Sequence, residues 1–132
     1  MFCAVLALAA SSAGAFELGR EGSAIYAPKE HQAVAEELSG TLAKVFGKEF
    51  PVKAMPADVA PDLAGIFVGA KPAGCDVTWD AARECCVRIV EENRVWLFGN
   101  DGKLVHGTAD AVYEFLERFA GVRWLWPGDP CP

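Results

Sequence analysis

Cys85-Cys86-Val87-Arg88-Ile89-Val90 and Arg94-Val95-Trp96-Leu97-Phe98, separated by Glu91-Glu92-Asn93, decide the fold. Both runs are rich in β-branched and aromatic residues, and the three polar residues between them suit a reversal. The stretch is therefore predicted to be an antiparallel hairpin. Because side chains alternate along a strand, Val87 and Ile89 share a face, as do Val95 and Leu97. Asn100-Asp101-Gly102 follows as a turn.

Upstream, Ala64 to Gly69 carries Ile66, Phe67 and Val68 in a row. That pattern reads as a strand buried on both faces, as central strands of helix-covered sheets are. Phe50 to Met55 is predicted as a further strand, followed by an exposed Pro- and Asp-bearing loop to Asp62. Ser23 to Ala27 reads as a first strand closed by Pro28. Between them, Glu30 to Phe46 spaces Val34, Leu38, Leu42 and Val45 on one helical stripe, with Gly47 suited to a left-handed C-cap. A second helix is predicted from Ala109 to Ala120, with Thr108 as N-cap and Val112, Phe115, Leu116 and Phe119 on its apolar face. Gly121 ends it, and Val122 to Trp126 is predicted as a last strand. This order of elements makes an α+β domain: a mixed sheet of about five to six strands with two amphipathic helices on one face. The opposite face then requires cover, which a partner domain would supply.

The 132 residues suit one domain, and 52% hydrophobic with 23% charged residues is the composition of a packed protein. A net charge of -6 with no Lys/Arg run argues against nucleic acid as a partner. Met1 to Ala15 holds an apolar run, Phe2 to Ala10, and ends Ala13-Gly14-Ala15, which fits a secretory signal cut before Phe16. No Lys or Arg precedes that run. Residues 1–15 are thus expected to be a signal peptide and residues 16–132 a single domain, secreted or periplasmic, without a membrane span after cleavage.

Cleavage would leave Cys75, Cys85, Cys86 and Cys131 in an oxidising compartment, where disulfides are allowed. Four cysteines permit three complete pairings; a bridge between neighbours Cys85 and Cys86 is the most strained. Buried free thiols are the competing reading. Of other chemistry the chain carries few signs. His31 and His106 are its only histidines and lack zinc-site spacing, so no metal is expected. Cys85-Cys86 is not C-x-x-C. The glycines at 65, 69 and 74 lack phosphate-loop spacing, so no nucleotide cofactor is expected. Glu91, Glu92, Glu114 and Glu117 read as solvated acids rather than a glycosidase pair. Trp124 and Trp126 share a strand face and form a candidate platform for sugars, or else pack against a neighbouring domain.

The run His106-Gly107-Thr108-Ala109-Asp110-Ala111-Val112-Tyr113-Glu114-Phe115-Leu116-Glu117-Arg118-Phe119-Ala120-Gly121-Val122-Arg123-Trp124-Leu125-Trp126-Pro127-Gly128 resembles a pattern, R-G-T-x-x-A-V-Y-x-F-L-E-x-x-x-G-x-R-W-x-x-P-G. That pattern closes the N-terminal domain of α-glucuronidases and related bacterial glycoside hydrolases, a domain similar in fold to the second domain of β-hexosaminidases. The earlier strands and helix match in layout more than in letters. The resemblance implies a non-catalytic accessory domain that precedes a (β/α)8 catalytic barrel, docks on it and shapes one wall of its substrate cleft. It places Arg123, Trp124 and Trp126 nearest the junction, for substrate or interdomain contact, with no catalytic residue in this chain. His106 stands where the pattern has Arg, so a role tied to that guanidinium does not carry over. Two alternatives stand beside it. One is a stand-alone carbohydrate-binding module using Trp124 and Trp126; the other is a thiol-dependent protein built on Cys85 and Cys86.

Overall fold

The computed structural model describes residues 4–9, 23–79, 85–91, 94–102 and 104–122. The strands are β1 (Ala4–Ala9), β2 (Ile25–Ala27), β3 (Val52–Ala54), β4 (Gly65–Val68), β5 (Cys85–Val90) and β6 (Arg94–Gly99). They form one mixed sheet in the order β1-β5-β6-β4-β2-β3. Strand β2 runs parallel to both β3 and β4, and β4 parallel to β6. The hairpin is antiparallel, with Val87 opposite Phe98 and Ile89 opposite Trp96. In the full chain residues 4–9, within the stretch read as a leader, pair with β5 in parallel from Ala4↔Cys85 to Ala9↔Val90. A chain cut before Phe16 would present that edge of β5 unpaired.

Helix α1 (Gln32–Phe46) follows a single 3-10 turn at Lys29–His31, and helix α2 spans Gly107–Phe119. Both pack on one face of the sheet. Ala35, Leu38 and Leu42 of α1 and Ala111, Val112, Phe115 and Leu116 of α2 bury against Ile25, Ile66, Val68, Val95 and Leu97. Burial of each large apolar side chain there contributes roughly 1.5–3 kcal/mol. Gly47 caps α1 at φ 67, its N–H donating to the Ala43 carbonyl at 2.9 Å.

Four local expectations need correction. Val45 and Phe119, each in the last turn of its helix, are 45% and 46% exposed rather than buried, although Phe119 still lies against Phe115 and the Arg88 guanidinium. Thr108 is not the N-cap of α2 but a residue of its first turn. The capping carboxylate comes from outside the helix: Asp101 accepts from the Thr108 N–H at 3.2 Å and from its hydroxyl at 2.6 Å. The Pro- and Asp-bearing loop after β3 is not wholly exposed, and the helix-free face does not wait for a partner domain. Phe67, Val87, Ile89, Trp96 and Phe98 on that face are buried beneath Met55, Val59 and Leu63 from the loop after β3 and Ala70, Cys75, Val77 and Trp79 from the loop after β4. The predicted last strand beyond Val122 lies outside the described residues.

Hairpin register explains why two faces of β5 differ. Val87 and Ile89 join the loop-covered cluster, while Cys86 turns to the helices. Arg88 also turns to the helices and is buried, at 7% exposed. It is held there by Glu114 of α2, whose carboxylate takes two contacts from Arg88 Nη1 at 2.5 and 2.6 Å. Glu114 is therefore not a solvated acid: it is the counter-charge of a buried arginine, and Arg118 Nε adds a third contact at 2.6 Å.

Candidate functional site

The two loops over the helix-free face cover it without sealing it. Between Met55–Pro61 of one and Ala70–Ala73 of the other lies a cavity of about 520 Å³, with Trp96 below and Glu91 and Arg94 at its lip. A second hollow of about 560 Å³ is lined by residues 72–78, Ile89 and Glu91. Pro72, Ala73 and Glu91 border both, so the hollows are neighbours across a low ridge.

The floor is stiff. Trp96 stacks on Phe67 with ring centroids 4.3 Å apart, and Phe67 on Tyr26 at 5.2 Å, a run of rings across β6, β4 and β2. Their positions follow from register, since Trp96 pairs with Phe67 and Tyr26 with Phe67 in the parallel ladder. Trp96 is 2% exposed, and its indole N–H has no hydrogen-bond partner. A buried donor left this way costs about 1–3 kcal/mol, and the nitrogen is itself buried beneath the cavity floor. At the lip, Arg94 Nη2 meets Glu91 Oε2 at 2.6 Å, which corrects the reading of Glu91 as a solvated turn residue. Lys71 Nζ donates to the Val77 carbonyl at 3.0 Å and lies 4.5 Å over the Trp79 ring, tying the second loop to itself.

A separate polar cluster sits where β6 ends and both helices begin. His31 Nε2 lies 3.5 Å from Asp101 Oδ2, the same oxygen that accepts from Thr108. Asp101 thus joins the starts of α1 and α2.

Of the residues singled out from sequence, Arg123, Trp124, Trp126 and Cys131 lie outside the described residues. Cys85 packs with the loop-covered cluster, as does Cys75, whereas Cys86 packs with the helix-side core. No disulfide joins these three. Among the described residues no group of three or more His, Cys, Asp or Glu side chains is placed to hold a metal ion. No helix among them is long and apolar enough to cross a membrane. Sequence reading missed the trough over Trp96 because its walls come from two loops with no motif. The signal that pointed toward it was the prolines at 56, 61 and 72, spaced along loops flanking an all-apolar strand.

No protein-family model, curated protein or solved structure matches the chain.

Proposed function

We propose that the chain is the non-catalytic N-terminal accessory domain of a secreted glycoside hydrolase of α-glucuronidase type, packing on a (β/α)8 catalytic barrel and shaping its substrate cleft. The observation that carries this reading is the run from His106 to Gly128, whose letters follow the closing pattern of such domains across a turn, a helix and an apolar tail. An α+β sheet with both helices on one face is the architecture that the resemblance implies. The use of the acids agrees with it. Glu114 neutralises Arg88, Glu91 pairs with Arg94, and Asp101 caps α2. Carboxylates committed to structural contacts are poorly suited to trade protons with a glycosidic oxygen. Arg123, Trp124 and Trp126 belong at the junction with the barrel under this reading, and the leader at residues 1–15 exports the whole.

The test is hydrolysis. Purified chain incubated with aryl glycosides and glucuronoxylan oligosaccharides is expected to release no product. Turnover that disappears on changing one acidic residue overturns the reading.

A further inference from the structure

The two edges of the sheet are built differently. At one, β3 is three residues long and mostly exposed, with Lys53 inside it and Pro51 and Pro56 beside it, features that keep a strand from adding another. At the other, β1 is seated on β5, whose six residues include no proline or glycine and whose centre, from Cys86 to Ile89, is buried. Strand β5 is thus composed as an interior strand. The Glu91 N–H donates to the Arg94 carbonyl and the Asn100 N–H to the Cys85 carbonyl, so the odd-numbered residues of β5 bond to β6. The N–H and C=O groups of Cys86, Arg88 and Val90 therefore face outward, where β1 alone pairs with β5 among the described residues. Removal of residues 1–15 takes that neighbour away and opens an apolar edge with no device to protect it.

The rest of the molecule narrows what can take the vacated edge. A closed (β/α)8 barrel has no strand edge to offer. The chain beyond Val122 is disfavoured by handedness. The β2-α1-β3 crossover moves toward the β3 edge, and a strand placed beyond β5 after α2 would move the opposite way over the same face, making one of the two crossovers left-handed. The β3 edge of another copy is blocked by its prolines and lysine. The β5 edge of another copy remains, and an antiparallel pair of identical strands closes under a two-fold axis. With Val87 on that axis, Arg88 lies opposite Cys86 of the second copy, so the two arginines, each already held by Glu114, do not face each other.

We propose that the processed chain forms a two-fold dimer by antiparallel pairing of its β5 edges, on the seat that residues 4–9 hold in the uncut chain. The leader strand keeps the precursor monomeric, and its removal permits assembly. This rests on the leader part of the reading above and goes beyond it in assigning a partner, a second copy, to the edge that cleavage exposes.

The experiment compares the full chain with the exported chain that begins at Phe16, by size-exclusion chromatography with light scattering. At roughly 100 µM the full chain is expected to have the mass of one copy and the processed chain that of two. Amide exchange of the processed chain locates the contact. The N–H groups of Cys86, Arg88 and Val90 are expected to exchange at least roughly tenfold faster when the protein is diluted to monomer, with the helix amides unaffected. Val90→Pro removes one outward donor and leaves the β5-β6 ladder intact, so it is expected to weaken the dimer by at least roughly tenfold. A peptide of residues 4–9 with a lysine tail for solubility needs no variant: added in excess, it is expected to dissociate the dimer by taking the same edge. A monomeric processed chain, a full chain that dimerises equally, or a dimer that persists in folded Val90→Pro or in excess peptide overturns the proposal. An exported chain that still carries residues 1–15 removes the leader reading and the proposal with it, whereas a chain that begins at Phe16 and stays monomeric overturns the proposal alone.

Discussion

Arg88 on β5 and Glu114 on α2 form an ion pair across the sheet-helix interface, with side chains only 9% and 15% exposed. The guanidinium lies among apolar neighbours, its carbon 4.9 Å from the centroid of the Phe119 ring, and its Nε has no hydrogen-bond partner. A charge so placed depends on its counter-ion. Glu114→Ala is expected to destabilise the fold by about 3 kcal/mol by leaving the arginine buried and unpaired. The double change Arg88→Met with Glu114→Leu is expected to recover most of that loss, since two apolar side chains of similar volume need no neutralisation. Urea unfolding of the three proteins reads both results; equal losses in the single and double variants would contradict them.

Asp101 links the turn after β6 to the start of α2 through both the N–H and the hydroxyl of Thr108. Asp101→Ala removes the cap and should lower stability by about 1 kcal/mol. Thr108→Val keeps the backbone contact and should cost less than Asp101→Ala. Thermal melts of the two variants rank them.

Two glycines should respond in opposite directions to the same change. A Cβ on Gly107 would lie 2.1 Å from the Cys85 carbonyl oxygen and 2.6 Å from the Asn100 nitrogen, both backbone atoms. Gly107→Ala must therefore push α2 away from the β5-β6 hairpin, and the chain is expected to fold poorly. Gly40 sits inside α1 with no atom within 4 Å of where a Cβ would be. Gly40→Ala should stabilise the protein by about 0.5–1 kcal/mol, because a flexible residue leaves a helix interior. Melting temperatures of the two variants provide the check.

Alkaline unfolding should involve Tyr113. Burial, then its hydrogen bond to Glu37 at 3.0 Å and the nearby negative charge, raise its hydroxyl above the ordinary value of 10.0. A group that holds its proton more tightly when folded supports the native state below the unfolded pKa, and the support is lost as pH rises past it. Stability should therefore begin to fall above about pH 10, the unfolded-state value. Tyr113→Phe should flatten that part of the profile. Urea midpoints on either side of that pH measure the slope, and an unchanged slope in the variant would exclude the tyrosine as its source.

The helices and hairpin were legible because each carries a local periodic signal. Leu38 and Leu42 are buried where a period near 3.6 puts them, and the hairpin registers as its two apolar runs imply. The trough was not legible. Pro56, Pro72 and Trp96 come from three separate segments, and only the fold brings them to one cavity. Glu91 is engaged by Arg94 only three residues on, across the hairpin turn, whereas Glu114 read as a surface acid because the buried arginine that engages it is set by packing rather than by neighbouring letters. For Glu114 the partner, Arg88, is 26 residues away.

Alternation and helical period, properties of a single stretch of chain, were sufficient for the sequence to determine the order of elements from β2 to α2, the antiparallel hairpin and the two amphipathic helices, but not the strand at Ala4–Ala9. Which way each strand turns its two faces was a tertiary decision. Residues 86, 88 and 90 share one face by alternation alone, but only packing against α2 makes that the side on which a buried arginine finds a carboxylate. The covering of the opposite face was decided the same way. The loops after β3 and β4 have no period to read, and they cross Phe67, Val87, Trp96 and Phe98 because a sheet face this apolar is unfavourable in water.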